Sequence, residues 1–143
     1  MQGNVIKLYI TKDDKNKTRE KPSTIQLDQQ GIIGDKFYAK DPNRAILITS
    51  TESYKLAKEN GIELEDGALG ENILIDISPY HLLPGEQFRI GEALLEITQN
   101  CTLCKGLTAV NSKLPKLLKN DRGIFAKLIS EPSLLKISDR VII

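Results

Sequence analysis

Short blocks of apolar residues separated by polar, glycine-bearing stretches run along this 143-residue chain. Asn4 to Thr11 carries Val5, Ile6, Leu8 and Ile10 in an extended, β-branched context, which predicts a first strand. From Lys12 to Ser23 the pattern stops: charges of both signs are mixed in a flexible charged loop, with an anion-attracting arm as the alternative. A short extended piece follows around Ile25 to Leu27. Arg44 to Ser50 opens on an arginine and runs apolar, as a strand buried on both faces does. Thr49 and Glu52 have capping-box spacing and Gly61 supplies a stop, so Glu52 to Asn60 is the clearest helix. Gly67 to Ile77 sets glycines and polar residues ahead of another strand, and Leu83 to Ile97 reads as two strands joined at Gly91-Glu92. Leu107 to Lys119 predicts one or two helical turns interrupted by Pro115, Arg122 to Leu128 a strand, and Leu134 to Ile143 further extended segments.

Many short strands and one good helix predict a mainly β, β-rich α+β domain. The expected form is a partly closed β-barrel with short helical insertions. No internal repeat or long linker divides residues 1–143, so one domain is expected.

Charge changes the picture only locally. The 20 basic and 19 acidic residues nearly balance, which argues against a nucleic-acid-binding surface but leaves room for a basic pocket. No apolar run approaches the roughly 20 residues of a membrane helix, and no secretory signal opens the chain, so the cytoplasm is the expected compartment. There two cysteines are better read as thiols, metal ligands or redox groups than as a structural bridge.

Cys101 and Cys104 end the strand that begins at Ala93. A strand fixes where sulfur sits, and a turn lets a ligand reach it. Two thiols and the isolated His81 fall short of a four-ligand zinc site, and β-rich surroundings do not suit a thioredoxin-like dithiol. A working thiolate, favoured by Lys105, and a pair of small buried residues remain open. Gly34-Asp35 and Gly70-Glu71-Asn72 are turns by spacing alone, although Asn72 has the donors and acceptor for a heterocycle. Arg44 and Arg122 each open a strand where a guanidinium can fork onto phosphate or carboxylate.

The order of these motifs resembles the MOSC domain family, named for the C-terminal domain of molybdenum cofactor sulfurases. It runs through Gly34-Asp35, Arg44, the helix, Gly70-Glu71-Asn72, Pro84-Gly85-Glu86, Ile90-Gly91, Thr98-Gln99 with a cysteine, and Arg122-Gly-Ile-Phe-Ala126. The resemblance covers about Gly31 to Val141. It implies a barrel-like fold that binds a molybdenum-pterin cofactor, and it places the family's essential cysteine on Cys104. That thiolate would either ligate molybdenum, as in enzymes that reduce N-hydroxylated compounds, or carry a persulfide in cofactor sulfuration; both suit a soft, nucleophilic sulfur. Arg44, Asn72 and Arg122 are the candidates for holding the pterin and its phosphate, with Asp35, Lys36, Gly70 and Glu71 at the same site. Two positions depart from the family's usual pattern: Phe37 stands where a histidine is common, and Cys101 where many relatives are basic. The implied partners are molybdopterin and a cysteine desulfurase or molybdoenzyme. No pyridoxal phosphate is expected in this chain, and two cysteines do not make a four-cysteine iron–sulfur site. A non-enzymatic carrier or interaction module with a redox C-x-x-C pair is the reading from another class.

Overall fold

The computed structural model describes residues 1–101 and 111–143. The Leu107 to Val110 part of the expected helical turns lies outside them, as does Cys104.

Seven strands close a barrel in the order β1 (Gln2–Leu8), β12 (Arg140–Ile142), β8 (Gln87–Ile90), β9 (Ala93–Asn100), β10 (Ile124–Leu128), β6 (Ile46–Ser50) and β7 (Ile73–Ile75), with β7 returning to β1. The barrel is closed rather than partly closed, because β1 pairs with β12 through its first half and with β7 through its second, across a register shift between Val5 and Lys7. Such an irregularity lets one strand serve two partners while removing an exposed edge.

Burial follows the sequence pattern. Ala93, Leu95 and Ile97 alternate into the core from β9, and Phe88 and Ile90 do so from β8. Strand β6 is buried along its whole length, as its unbroken apolar run predicts. The β8–β9 hairpin turns at Gly91-Glu92 as expected, with Gly91 at φ +56°. The only parallel pair among the barrel strands, β6 with β7, is joined by a crossover containing helix α1 (Thr51–Glu59). That helix buries Ser53 and Ala57, and Ala57 packs with Ile62, Leu69, Leu114 and Leu118 in a second apolar cluster.

Four local expectations are corrected. The cap of α1 is Ser50, whose Oγ accepts from the Glu52 amide at 3.1 Å; Thr49 points inward and gives its hydroxyl to Glu71. Arg44 does not open β6 but closes a 3-10 helix, Pro42–Arg44, capped by Asp41. Pro115 helps start the short helix Leu114–Leu117, in whose first turn an N–H has no partner to lose. The charged stretch after Thr11 is also more ordered than its composition suggests. Ile10–Thr11 (β2) pairs with Arg19–Glu20 (β3), and Asp14 accepts from the amides of Asn16 and Thr18 at 3.1 Å each to close the tip. A three-stranded sheet of β11 (Ser133–Lys136), β4 (Thr24–Asp28) and β5 (Gly31–Ile32) completes the strands of the described residues.

Ile48 is fully buried and pairs with Ile124 on one side and Ile73 on the other. Ile48→Ala should therefore cost about 2–5 kcal/mol, seen as a lower urea midpoint with unchanged slope. A loss below about 1 kcal/mol would show that β6 is not central to the core.

Candidate functional site

A cavity of about 710 Å³ opens where the β2–β3 hairpin, residues 36–44, the turn before β7 and the start of β10 converge. Its walls include Lys17, Arg19, Lys36, Lys40, Arg44 and Arg122, two aromatic rings, Phe37 and Phe125, and one carboxylate, Asp41. A volume of this size suits a small organic ligand, and six cations against one anion specify its charge.

Of the residues singled out in the sequence, Lys36, Arg44, Gly70, Asn72 and Arg122 line this cavity. Arg44 is exposed and lies 5.2 Å from the centre of the Phe125 ring. Arg122 is only 5% exposed: Nη1 donates to Cys101 Sγ at 2.8 Å and Nη2 to the Leu69 carbonyl at 3.0 Å. Its Nε has no acceptor among the described residues. A guanidinium N–H on sulfur stabilises negative charge there, so the wall at Cys101 is chemically soft and electropositive together.

Asp35 and Glu71 are not among the wall residues; both are buried and brace the wall. Asp35 accepts from the Thr11 and Phe37 amides, at 2.9 and 3.1 Å, and from Asn72 Nδ2 at 3.2 Å. Asn72 spends its other Nδ2 proton on the Tyr9 carbonyl at 3.2 Å, and its Oδ1 accepts from the Leu47 amide at 3.0 Å. Neither an Asx turn nor a free amide describes it, because one side chain ties three segments of the wall together.

Glu71 is fully buried. Its Oε2 accepts from Thr49 Oγ1 at 2.6 Å and Tyr54 Oη at 2.5 Å, and its Oε1 faces Arg19 Nη2 at 4.0 Å. Arg19 in turn donates to the carbonyls of Gly67 and Glu71, each at 2.9 Å, and to Thr11 Oγ1 at 3.2 Å. The cation that neutralises the buried carboxylate thus also holds the glycine turn in place.

Sequence reasoning missed Lys17, Arg19 and Lys40 as wall residues. The first two fell in a run read as solvated surface, and the available signal was the Asp14-Lys-Asn-Lys-Thr18 turn chemistry, which marks a hairpin. Cys104, the leading candidate, lies outside the described residues. Cys101, its neighbour in sequence, is on the wall.

The fold is thus a closed, mainly antiparallel β-barrel with a cationic, thiol-bearing cavity. The chain belongs to the MOSC domain family, whose model matches residues 34–141. Solved structures agree on the fold. The YuaD protein from Bacillus subtilis superposes with a TM-score of 0.78 at 20% identity, over 99% of this chain and 94% of that one. YiiM from Escherichia coli gives 0.74 at 24%, over 99% and 69%. YiiM from Geobacillus stearothermophilus gives 0.71 at 15%, over 98% and 74%. No curated protein matches the chain in sequence. No helix among the described residues is long and apolar enough to cross a membrane.

Two outcomes test the bracing network. Tyr54 Oη also accepts from the Gly67 and Leu69 amides, at 3.0 and 3.2 Å, so Tyr54→Phe strands two N–H groups and half of the Glu71 coordination. It should cost about 1–3 kcal/mol in urea unfolding, and an unchanged midpoint would show the network is dispensable. Burial, then the charges of Glu71 and Asp66, pushes the Tyr9 hydroxyl from 10.0 up to about 12. Burial likewise raises Tyr54 and Tyr80. The unfolded chain releases these protons first, so the stability they contribute is intact below pH 10 and falls as pH rises through 12. Phenolate absorbance should accordingly appear together with unfolding; smooth ionisation of these tyrosines at pH 10 in folded protein would contradict their burial.

Proposed function

We propose that this chain binds a molybdenum-pterin cofactor in the cationic cavity, with Cys104 serving as molybdenum ligand or sulfur carrier. The MOSC family is associated with that cofactor. The observation that carries the reading is Arg122: a buried guanidinium, fixed by Leu69 and Cys101, whose Nε has no acceptor among the described residues, in a wall lined by five other cations. That donor set fits an anionic heterocycle carrying phosphate.

Arg122 and Arg44 would bind the anionic parts. Gly70 contributes open space, since a Cβ there would meet nothing within 4 Å. Asp35 and Glu71 position the wall from behind, Asn72 braces it from the wall itself, and Lys36 adds charge at the rim. The assignment of Cys104 rests on the family resemblance; Cys101, three residues before it, is on the wall. When bound, the cofactor supplies two-electron redox chemistry or a site for sulfur exchange. The chain supplies the thiolate, the compensating charge and a pocket partly shielded from water. Molybdopterin, a cysteine desulfurase and a molybdoenzyme are the partners this role calls for, in the cytoplasm.

Protein isolated from a molybdenum-replete host should contain pterin and molybdenum, or acquire both on reconstitution; finding neither would refute cofactor binding. Cys104→Ser should retain pterin while losing molybdenum or the persulfide mass increment. Unchanged content and activity in that variant would remove Cys104 from the site, and loss of molybdenum in Cys101→Ser alone would move the role to Cys101. A thiol count before and after reduction reports separately on a C-x-x-C redox pair.

A further inference from the structure

Arg122 carries a positive charge into a wall where it is only 5% exposed, and a guanidinium taken out of water needs a counter-charge beside it. No carboxylate among the described residues supplies one: its acceptors there are the Leu69 carbonyl and Cys101 Sγ. Of these two, only sulfur can become an anion, by losing its proton. Strand pairing keeps the two side chains together, since the Cys101 amide donates to the Gly123 carbonyl at 2.9 Å and Ile124 stands opposite Asn100. Leu47 and Phe125 pack with the cysteine in an apolar cluster, so little water screens the attraction. Arg122 adds a second observation of its own: its Nε, buried on the same wall, has no acceptor among the described residues.

We propose that Cys101 is held as a thiolate, the counter-ion of Arg122, and that it is the residue of this cavity that accepts a sulfur atom from a persulfide. The inference deepens the sulfur-carrier role and rests on the cofactor reading for its purpose: it moves that role from Cys104 to Cys101 and leaves Cys104 for molybdenum. Cys101 is 8% exposed and lines the cavity, so a donor meets it from that side. In the step, the thiolate attacks the terminal sulfur of a donor R–S–SH. The donor's S–S bond breaks as the new S–S bond at Cys101 forms, and R–S⁻ leaves with the electron pair and takes up the proton of the transferred sulfur. Cys101 ends as a persulfide anion and the donor as R–SH, so charge is conserved and no oxidant or reductant enters. Arg122 faces an anion before and after, and its unpartnered Nε is the donor available to the added sulfur. A wall with six cations and one carboxylate favours a reaction whose attacking, leaving and product groups are all anions.

Sulfur uptake from glutathione persulfide, followed by intact mass, tests this in single-thiol variants, because the chain has two cysteines. Cys104→Ser should gain one sulfur, and Cys101→Ser should gain it at least about tenfold more slowly. In the Cys104→Ser background, Arg122→Gln should slow both this uptake and iodoacetamide alkylation of Cys101 about tenfold at neutral pH, the effect of one charge-assisted hydrogen bond, and Arg122→Lys should restore most of the rate. The ultraviolet thiolate band of Cys104→Ser, present at neutral pH in folded protein and lost on unfolding in urea, reads the same pair without altering Arg122. A folded protein without that band, or alkylation indifferent to Arg122, would overturn the ion pair. Uptake on Cys104 alone would overturn the assignment and leave the proposed function standing. Protein without pterin would refute the cofactor reading, and the uptake arms would still decide Cys101. A cysteine desulfurase supplied with cysteine, in place of glutathione persulfide, separates two sources of the same group: loading by both assigns a protein-borne donor, loading by glutathione persulfide alone a small one, and either supports the site.

Discussion

Everything at the cavity depends on a carboxylate that the fold has taken out of water. Glu71 has no exposed surface, and a buried charge is tolerated only where partners surround it. Its partners come from three places in the chain: Thr49 at the end of β6, Tyr54 on the helix, and Arg19 on the hairpin, which also clamps the Gly67 turn. One side chain therefore ties together the helix, the barrel and the hairpin: Oε2 takes both hydroxyls, and Oε1 has only the Arg19 charge at 4.0 Å and no hydrogen bond among the described residues. Asn72, the next residue, does the same for Leu47, Tyr9 and Asp35. The Gly-Glu-Asn segment acts as a polar rivet under the cavity floor, and its specificity is the specificity of the site.

This explains an inversion between what the sequence suggested and what the side chains do. Polar residues at a strand start invite a reading as ligand contacts, because Asn and Glu have the right atoms. In the fold, Glu71, Asn72 and Asp35 point those atoms at backbone amides, hydroxyls and a guanidinium. The long cations Lys17, Lys36, Lys40 and Arg44 stand on the cavity wall instead. A buried polar group carries more constraint than an exposed one, so it makes the more specific motif.

The barrel was legible because its signal is local. Alternation in β8 and β9, the unbroken run of β6 and the Gly91 turn all translate into strands. Closure was not, since it depends on β1 switching partners between Val5 and Lys7, and no residue there announces a register shift. Of the cavity wall, the sequence had singled out Lys36, Arg44, Gly70, Asn72 and Arg122. The hairpin contribution was hidden because Lys12 to Ser23 contains almost no apolar residue, and a two-stranded ribbon held by turn chemistry leaves little trace in hydrophobic periodicity. Thr49 misled for a related reason. Its capping-box spacing with Glu52 is genuine, but a buried carboxylate outcompetes a helix amide for the hydroxyl, and Ser50 caps instead.

The division between committed and uncommitted cations is what gives the cavity a direction. Guanidiniums bonded to carbonyls cannot follow a ligand, so Arg19 and Arg122 define a rigid interior whose charge is present before anything binds. Exposed lysines sharing one carboxylate can rearrange at small cost, and they surround the same opening. A preorganised interior favours one resident group held for long periods, whereas an adaptable rim favours exchange. Phe37, exposed among the lysines, adds an apolar ring to that opening, where an imidazole would add another titrating charge.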